Sequence, residues 1–152
     1  FVQVSTSILL AKISPELEIR TILVPHRDEF SETVGFYIKG PNKKAFFLPD
    51  IDKWDKWEES LEDVLSKVDY AFLDGTFFDS AEINYRDISE IPHPFVVETL
   101  ERLSKLPIHT RKKVFFIHMN HTNAMLDPKS SAAKKVLFEG FQIARFGMQF
   151  PF

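Results

Sequence analysis

Between Lys113 and Asn123 the chain passes within one residue from a wholly apolar run to a polar cluster. Val114-Phe115-Phe116-Ile117 is built of β-branched and aromatic residues, and His118-Met119-Asn120-His121-Thr122-Asn123 follows at once. A run that short and apolar reads as a buried strand. In open α/β sheets, chemistry collects just beyond the carboxyl ends of such strands, where a side chain is fixed at its base and free at its tip. Two other apolar runs end in the same way. Residues 45–48 lead through Pro49 to Asp50, and residues 70–73 lead to Asp74. If these three strands are neighbours, Asp50, Asp74 and His118 converge at one rim of the sheet.

The rest of the pattern supplies the frame. Residues 6–13 and 18–24 read as strands joined at Ser14-Pro15, and residues 34–39 and 44–48 as a hairpin around Gly40-Pro41-Asn42. Trp54, Trp57, Leu61, Val64, Leu65 and Val68 recur at helical spacing, which predicts one helix over residues 52–68 with Asp52 as its N-cap. Residues 79–92 lack a period and read as a long loop. A second helix is expected over residues 95–106, stopped by Pro107, and a third over 130–138 with Gly140 closing it. Residues 141–146 and 148–150 read as a closing strand pair around Gly147. Antiparallel strands followed by alternating strands and helices define a mixed α/β (α+β) layer domain. Residues 1–152 read as a single domain.

Composition narrows the classes. Of 152 residues, 44% are hydrophobic and 27% charged, as in a soluble globular domain. A net charge of −3 and a pI near 6.0 exclude a nucleic-acid partner as the working expectation. No apolar run approaches the roughly 18 residues of a membrane span, so a cytoplasmic protein acting on a small-molecule substrate is expected. There is no cysteine, so a metal site must use imidazole and carboxylate ligands. Such a donor set suits zinc, manganese or iron. Sixteen phenylalanines point to a large aromatic core.

The ordered set Val24-Pro25-His26-Arg27-Asp28 before Val34-Gly35-Phe36-Tyr37-Ile38, then Phe46-Phe47-Leu48-Pro49-Asp50, Leu73-Asp74-Gly75-Thr76-Phe77-Phe78 and Ile117-His118-Met119-Asn120-His121 resembles the C-terminal half of the metallo-β-lactamase superfamily. Within it, the resemblance points to coenzyme PQQ synthesis protein B-like proteins and to phosphonate-pathway phosphodiesterases. It implies an αβ/βα sandwich with His26, Asp50 and His118 as metal ligands, Asp50 bridging two ions. It implies a supporting place for Asp74 beside the site. His93, in Ile91-Pro92-His93-Pro94, falls where the phosphodiesterases touch substrate, and His121 falls where a leaving group or loop would be oriented. The activity implied is hydrolysis of a phosphodiester or similar small ester by a hydroxide held between two zinc ions, or manganese or iron in their place. The alternatives are an iron-dependent oxygenase or carrier of the protein B type, and a relative that keeps the fold without catalysis. The superfamily's His-x-His-x-Asp-His motif does not occur in these residues, so the two-ion site is expected only where that motif is supplied. Half of a sandwich is also expected to present an apolar sheet face to a further segment or to a second copy.

Overall fold

The computed structural model describes residues 10–83 and 91–152, and for residues 10–13 the backbone alone. Seven strands form one sheet in strict sequence order: β1 (Leu10–Ser14), β2 (Leu17–Val24), β3 (Thr33–Lys39), β4 (Lys44–Leu48), β5 (Tyr70–Asp74), β6 (Val114–Ile117) and β7 (Gln142–Ile143). The first four pair antiparallel and the last four pair parallel. Hairpins join the antiparallel strands. The parallel strands are joined through the helices α1 (Leu61–Ser66), α2 (Val96–Leu103), α3 (Ile108–Arg111) and α4 (Ser131–Phe138), because a parallel pair needs a crossover. β2 and β4 run the same way on either side of β3. The carboxyl ends of β2, β4, β5 and β6 therefore share one rim, and the sequence condition for convergence is met.

The helices cover one face. Phe46, Leu48, Ala71, Leu73, Val114 and Phe116 alternate inward along their strands and pack with Leu61, Val64, Leu65, Val96, Leu100, Leu103 and Val136. On the opposite face, Phe36, Phe47, Phe72 and Phe115 stand in register on four neighbouring strands. Their rings tile at centroid spacings of 6.5, 6.3 and 5.7 Å. Phe150 lies across this row, 4.8 Å from Phe72 and 4.9 Å from Phe115, and Phe152 rests against Tyr70. The phenylalanines are thus divided between a closed core and a half-buried aromatic face that the chain's own last residues partly strap.

Several expected elements differ. The single helix over 52–68 is two pieces: a 3-10 turn at Trp54–Lys56 and then α1, with Trp57 extended between them. Ser60, not Asp52, caps α1 by accepting from Asp63 N, whereas Asp52 accepts from Lys53 N and from Lys56 Nζ. The break lets each indole reach a fixed partner, Trp54 Nε1 donating to Thr99 Oγ1 and Trp57 Nε1 to the Leu23 carbonyl. A buried N–H without a partner costs about 1–3 kcal/mol, more than a turn of helix contributes. The helix expected over 95–106 ends at Leu103, and Pro107 opens α3 rather than a plain loop. The closing strand pair is absent. Only Gln142–Ile143 pairs, parallel to β6, and Gly147 (φ 84°) turns the chain back so that Met148 N donates to Arg145 O. Of the loop over 79–92, Ser80–Glu82 is a 3-10 turn, and residues 84–90 lie outside the described residues.

One surface pair carries a measurable pH signature. Arg102 donates through Nε and Nη2 to both oxygens of Glu62, at 2.9 and 3.0 Å, tying α2 to α1. This bond brings the Glu62 carboxyl down from 4.5 to about 2. A depressed folded-state pKa gives stability that is present above the unfolded value and lost as pH falls. The pair is one-third exposed, so solvent screening limits its worth to on the order of 1 kcal/mol. Glu62→Gln is expected to lose that amount at neutral pH and to flatten the stability curve between about pH 4.5 and 2. Urea unfolding across that range reads it, and an unchanged acid limb would contradict it.

Candidate metal centre

Four chain segments deliver polar side chains to the shared rim. His26 follows β2, Asp50 follows β4 after Pro49, Asp74 is the last residue of β5, and His118 follows β6. The fifth, His93, arrives from the segment leading into α2. Pro92 and Pro94 restrict its backbone on either side. Ile91 and Phe95 bury themselves with Ile83 and Phe77, and Val96 N and Val97 N donate to the carbonyls of Phe77 and Phe78. Lys53 closes this anchor, bonding Glu98 at 2.8 Å and lying 4.2 Å from the Phe95 ring centroid.

The contacts fall into two sets. His26 Nε2 is 3.2 Å from Asp50 Oδ1, and His93 Nδ1 is also 3.2 Å from that oxygen. Neither approach makes a hydrogen bond: Asp50 Oδ1 and His26 Nδ1 are buried polar atoms without a hydrogen-bond partner. Asp74, in contrast, is fully buried and saturated. Its Oδ1 accepts from Thr76 N at 2.9 Å and Thr76 Oγ1 at 2.6 Å. Its Oδ2 accepts from His93 Nδ1 at 2.8 Å and Ile51 N at 3.3 Å. Burial of the His93 imidazole works against its charged form. The hydrogen bond and charge of Asp74, with the charge of Asp50, outweigh that and raise its pKa, Arg27 acting in the opposite direction.

The same residues group as ligands. His26, Asp50 and His93 each offer a ligand atom within 4.8 Å of the others, and so do Asp50, Asp74 and His118. Asp50 belongs to both groups. The orphaned Asp50 Oδ1 beside an imidazole nitrogen is the arrangement expected where a cation, rather than a proton, joins the two. Ligand atoms on one tetrahedral zinc stand about 3.3 Å apart, given bonds near 2.0–2.1 Å. Imidazole and carboxylate donors therefore fit a divalent transition metal here.

Of the residues singled out from the sequence, His26, Asp50, Asp74, His93 and His118 are brought together. His121 is exposed and belongs to neither ligand group. Two residues had no role assigned from sequence. Thr76 bridges Asp74 to both His93 and His118, with Oγ1 3.4 and 3.2 Å from their Nδ1 atoms. Asn123, 2% exposed, donates to the carbonyls of Gly75 and Thr76 and accepts from Met125 N, locking the loops after β5 and β6 together. The Asp-x-Thr spacing was a usable signal for Thr76, since an Asp after a strand that accepts from the second residue on is an Asx turn.

Gly75 makes this close approach possible. Its N donates to Ile117 O at 2.9 Å, and an added Cβ would lie 3.0 Å from that oxygen and from Phe116 Cβ. Gly75→Ala is expected to push the end of β6, and His118 with it, away from Thr76, lowering stability by about 1–3 kcal/mol. Thermal unfolding together with zinc titration checks this, and wild-type values in both would show that the two strand ends can separate freely.

A seven-stranded mixed sheet with a His/Asp cluster at one rim defines a metallo-β-lactamase-like fold. Residues 5–119 match the Beta-lactamase superfamily domain, and the chain belongs to that family. Among curated proteins it is similar to coenzyme PQQ synthesis protein B of Nitrosococcus oceani, 26% identical over 133 residues, covering 82% of this chain and 42% of the relative. Coenzyme PQQ synthesis protein B of Methylobacillus flagellatus is 29% identical over 136 residues, covering 82% and 43%. The chain thus spans less than half the length of these relatives. The fold is also that of Zn(2+)-bound PqqB from Methylobacterium extorquens, with a TM-score of 0.71 at 18% identity over 95% of this chain and 53% of the other. Among the described residues, no helix is long and apolar enough to cross a membrane.

Proposed function

We propose that this chain forms part of a metal-dependent hydrolase acting on a phosphodiester or similar small ester, with His26, Asp50 and His118 holding the metal and His93 acting on the leaving group. The observation that carries the reading is the dyad of fully buried Asp74 and His93, 2.8 Å apart, beside the unpartnered Asp50 oxygen. Zinc is the ion proposed, with manganese or iron as alternatives. A bound divalent ion supplies Lewis-acid chemistry, lowering the pKa of water toward neutrality and polarising the electrophilic oxygen.

The chain's own groups then have distinct tasks. Asp74 accepts the Nδ1 hydrogen of His93, which orients the ring and leaves Nε2 as the nitrogen that exchanges a proton. The raised pKa of His93 keeps a proton available for an alkoxide leaving group, a contribution of about 10²–10⁴-fold in general acid catalysis. Asp50 Oδ1, which no hydrogen-bond donor meets, is left open to a cation.

In the intact protein, His93→Gln is expected to retain zinc while hydrolysis of an activated phosphodiester falls by about 10²–10⁴-fold. Metal analysis and rates measured side by side test this. Loss of zinc in this variant would move His93 into the ligand set, and absence of hydrolysis with zinc, manganese and iron would remove the hydrolase reading.

A second reading is favoured by the relatives, whose names place them in coenzyme PQQ synthesis. Under it, the same residues hold iron in a protein that oxidises or carries a small molecule. Oxygen consumption dependent on iron, without phosphodiester cleavage, distinguishes it from the first.

A further inference from the structure

Two histidines and one buried carboxylate meet at a single hydroxyl. Thr76 Oγ1 lies 2.6 Å from Asp74 Oδ1 and 3.2 Å from His118 Nδ1. A hydroxyl has one hydrogen to give and lone pairs to receive with. Asp74 also accepts from Thr76 N, Ile51 N and His93 Nδ1, and an ionised carboxylate only accepts. The short contact therefore takes the Thr76 hydrogen. What Thr76 then presents to His118 is oxygen alone, so His118 Nδ1 must bring the hydrogen of that bond. A neutral imidazole carries one N–H, which leaves Nε2 as the nitrogen with an open lone pair.

We propose that Thr76 is a positioning residue: through its hydroxyl, buried Asp74 selects the Nδ1–H tautomer of His118 and reserves Nε2 for a metal ion. The proposal rests on the reading of His118 as a ligand given above. It makes one carboxylate the support of two imidazoles, His93 directly through Oδ2 and His118 through the hydroxyl on Oδ1.

The surroundings show why such a support is needed. His118 is exposed and its φ of 57° is the one left-handed non-glycine backbone among the described residues. That conformation is unfavourable for a residue with a side chain and persists where its neighbours over-determine it. Among the described residues, Thr76 Oγ1 is the one hydrogen-bond partner of the His118 ring. Thr76 itself cannot swing away. Its carbonyl accepts from Asn120 N and Asn123 Nδ2, its N–H is bonded to Asp74, and it is 8% exposed. Outer partners that fix a ligand histidine's tautomer typically change metal affinity by about 10–100-fold when removed.

The test reads the tautomer directly in the intact, metal-free protein. Long-range ¹H–¹⁵N correlation spectra are recorded at a pH where His118 is neutral, with its signals identified by their absence in His118→Gln. The expected wild-type pattern is a protonated Nδ1 and an unprotonated Nε2. Thr76→Val removes the hydroxyl at nearly constant volume. It is expected to shift His118 toward the Nε2–H form that an unconstrained imidazole prefers, and to weaken zinc binding by about 10–100-fold. Thr76→Ser is expected to restore both. A wild-type His118 with its hydrogen on Nε2, or a Val variant with an unchanged tautomer, overturns the proposal. If Thr76→Val does not fold, the wild-type and Ser spectra still decide it. The expected tautomer without zinc binding would instead sink the metalloenzyme reading and leave the relay standing.

Discussion

Asp74→Ala is expected to cost about 3–5 kcal/mol of stability and, if the proposed hydrolase reading holds, to abolish hydrolysis by the intact protein even in the fraction that stays folded. Asp74 is fully buried and accepts four hydrogen bonds. Truncation leaves Ile51 N, Thr76 N and the Thr76 hydroxyl without their acceptor, each in a dry environment where an unmet donor costs about 1–3 kcal/mol. His93 loses the bond that orients it at the same time. Denaturant unfolding and hydrolysis rates measure the two losses. Asp74→Asn is the informative companion: it keeps the shape but puts an NH₂ donor in place of one oxygen, so that one of the two sides, His93 with Ile51 N or the Thr76 donors, loses its acceptor. Near-wild-type stability in Asp74→Ala would mean that water fills the space and meets those donors.

Asp50→Asn is expected to have the opposite signature. Asp50 Oδ1 makes no hydrogen bond and stands 3.2 Å from two imidazole nitrogens. Neutralising it removes no hydrogen bond at Oδ1, only the charge it sets beside His26 and His93, so metal-free stability at neutral pH should fall far less than in Asp74→Ala, which leaves buried donors unmet. Metal binding should be lost, because Asp50 belongs to both ligand groups and an amide oxygen is a poor substitute for a carboxylate on a divalent ion. Calorimetric zinc titration beside thermal unfolding distinguishes the cases. A stability loss as large as that of Asp74→Ala would assign Asp50 to the framework instead. Two aspartates that end neighbouring strands thus separate by their hydrogen bonds: one is built into the protein, the other is left open.

Much of this frame was legible from residue order. Strand runs ending in Asp74 and His118, and Asp50 two residues past a third, could be read because apolar patterning is local and strands are short. The Val24-to-His26 step was readable for the same reason. What patterning could not resolve was where two equally apolar stretches choose between continuing and breaking. The Trp54–Val68 segment has helical spacing throughout, yet two indole N–H groups needed partners on α2 and β2, and Ser60 offered a better start. Residues 141–150 look like two strands around a glycine, yet the aromatic row of Phe72 and Phe115 draws Phe150 across the sheet instead of into a hairpin.

The sequence by itself determined the donor types at the rim, the absence of thiol ligands among these 152 residues, the alternation that builds a mixed sheet, and membership of the superfamily. These depend on residue identity and short-range order. Tertiary structure alone decided that Asp74 is saturated and Asp50 is not, that His93 leans on Asp74, that His121 stands apart, and that Thr76 joins two histidines. Those outcomes depend on where separate strand ends stop relative to one another. Gly75 against Ile117 and Asn123 against Gly75 set that spacing, and a hydrogen bond forms or fails within a few tenths of an ångström.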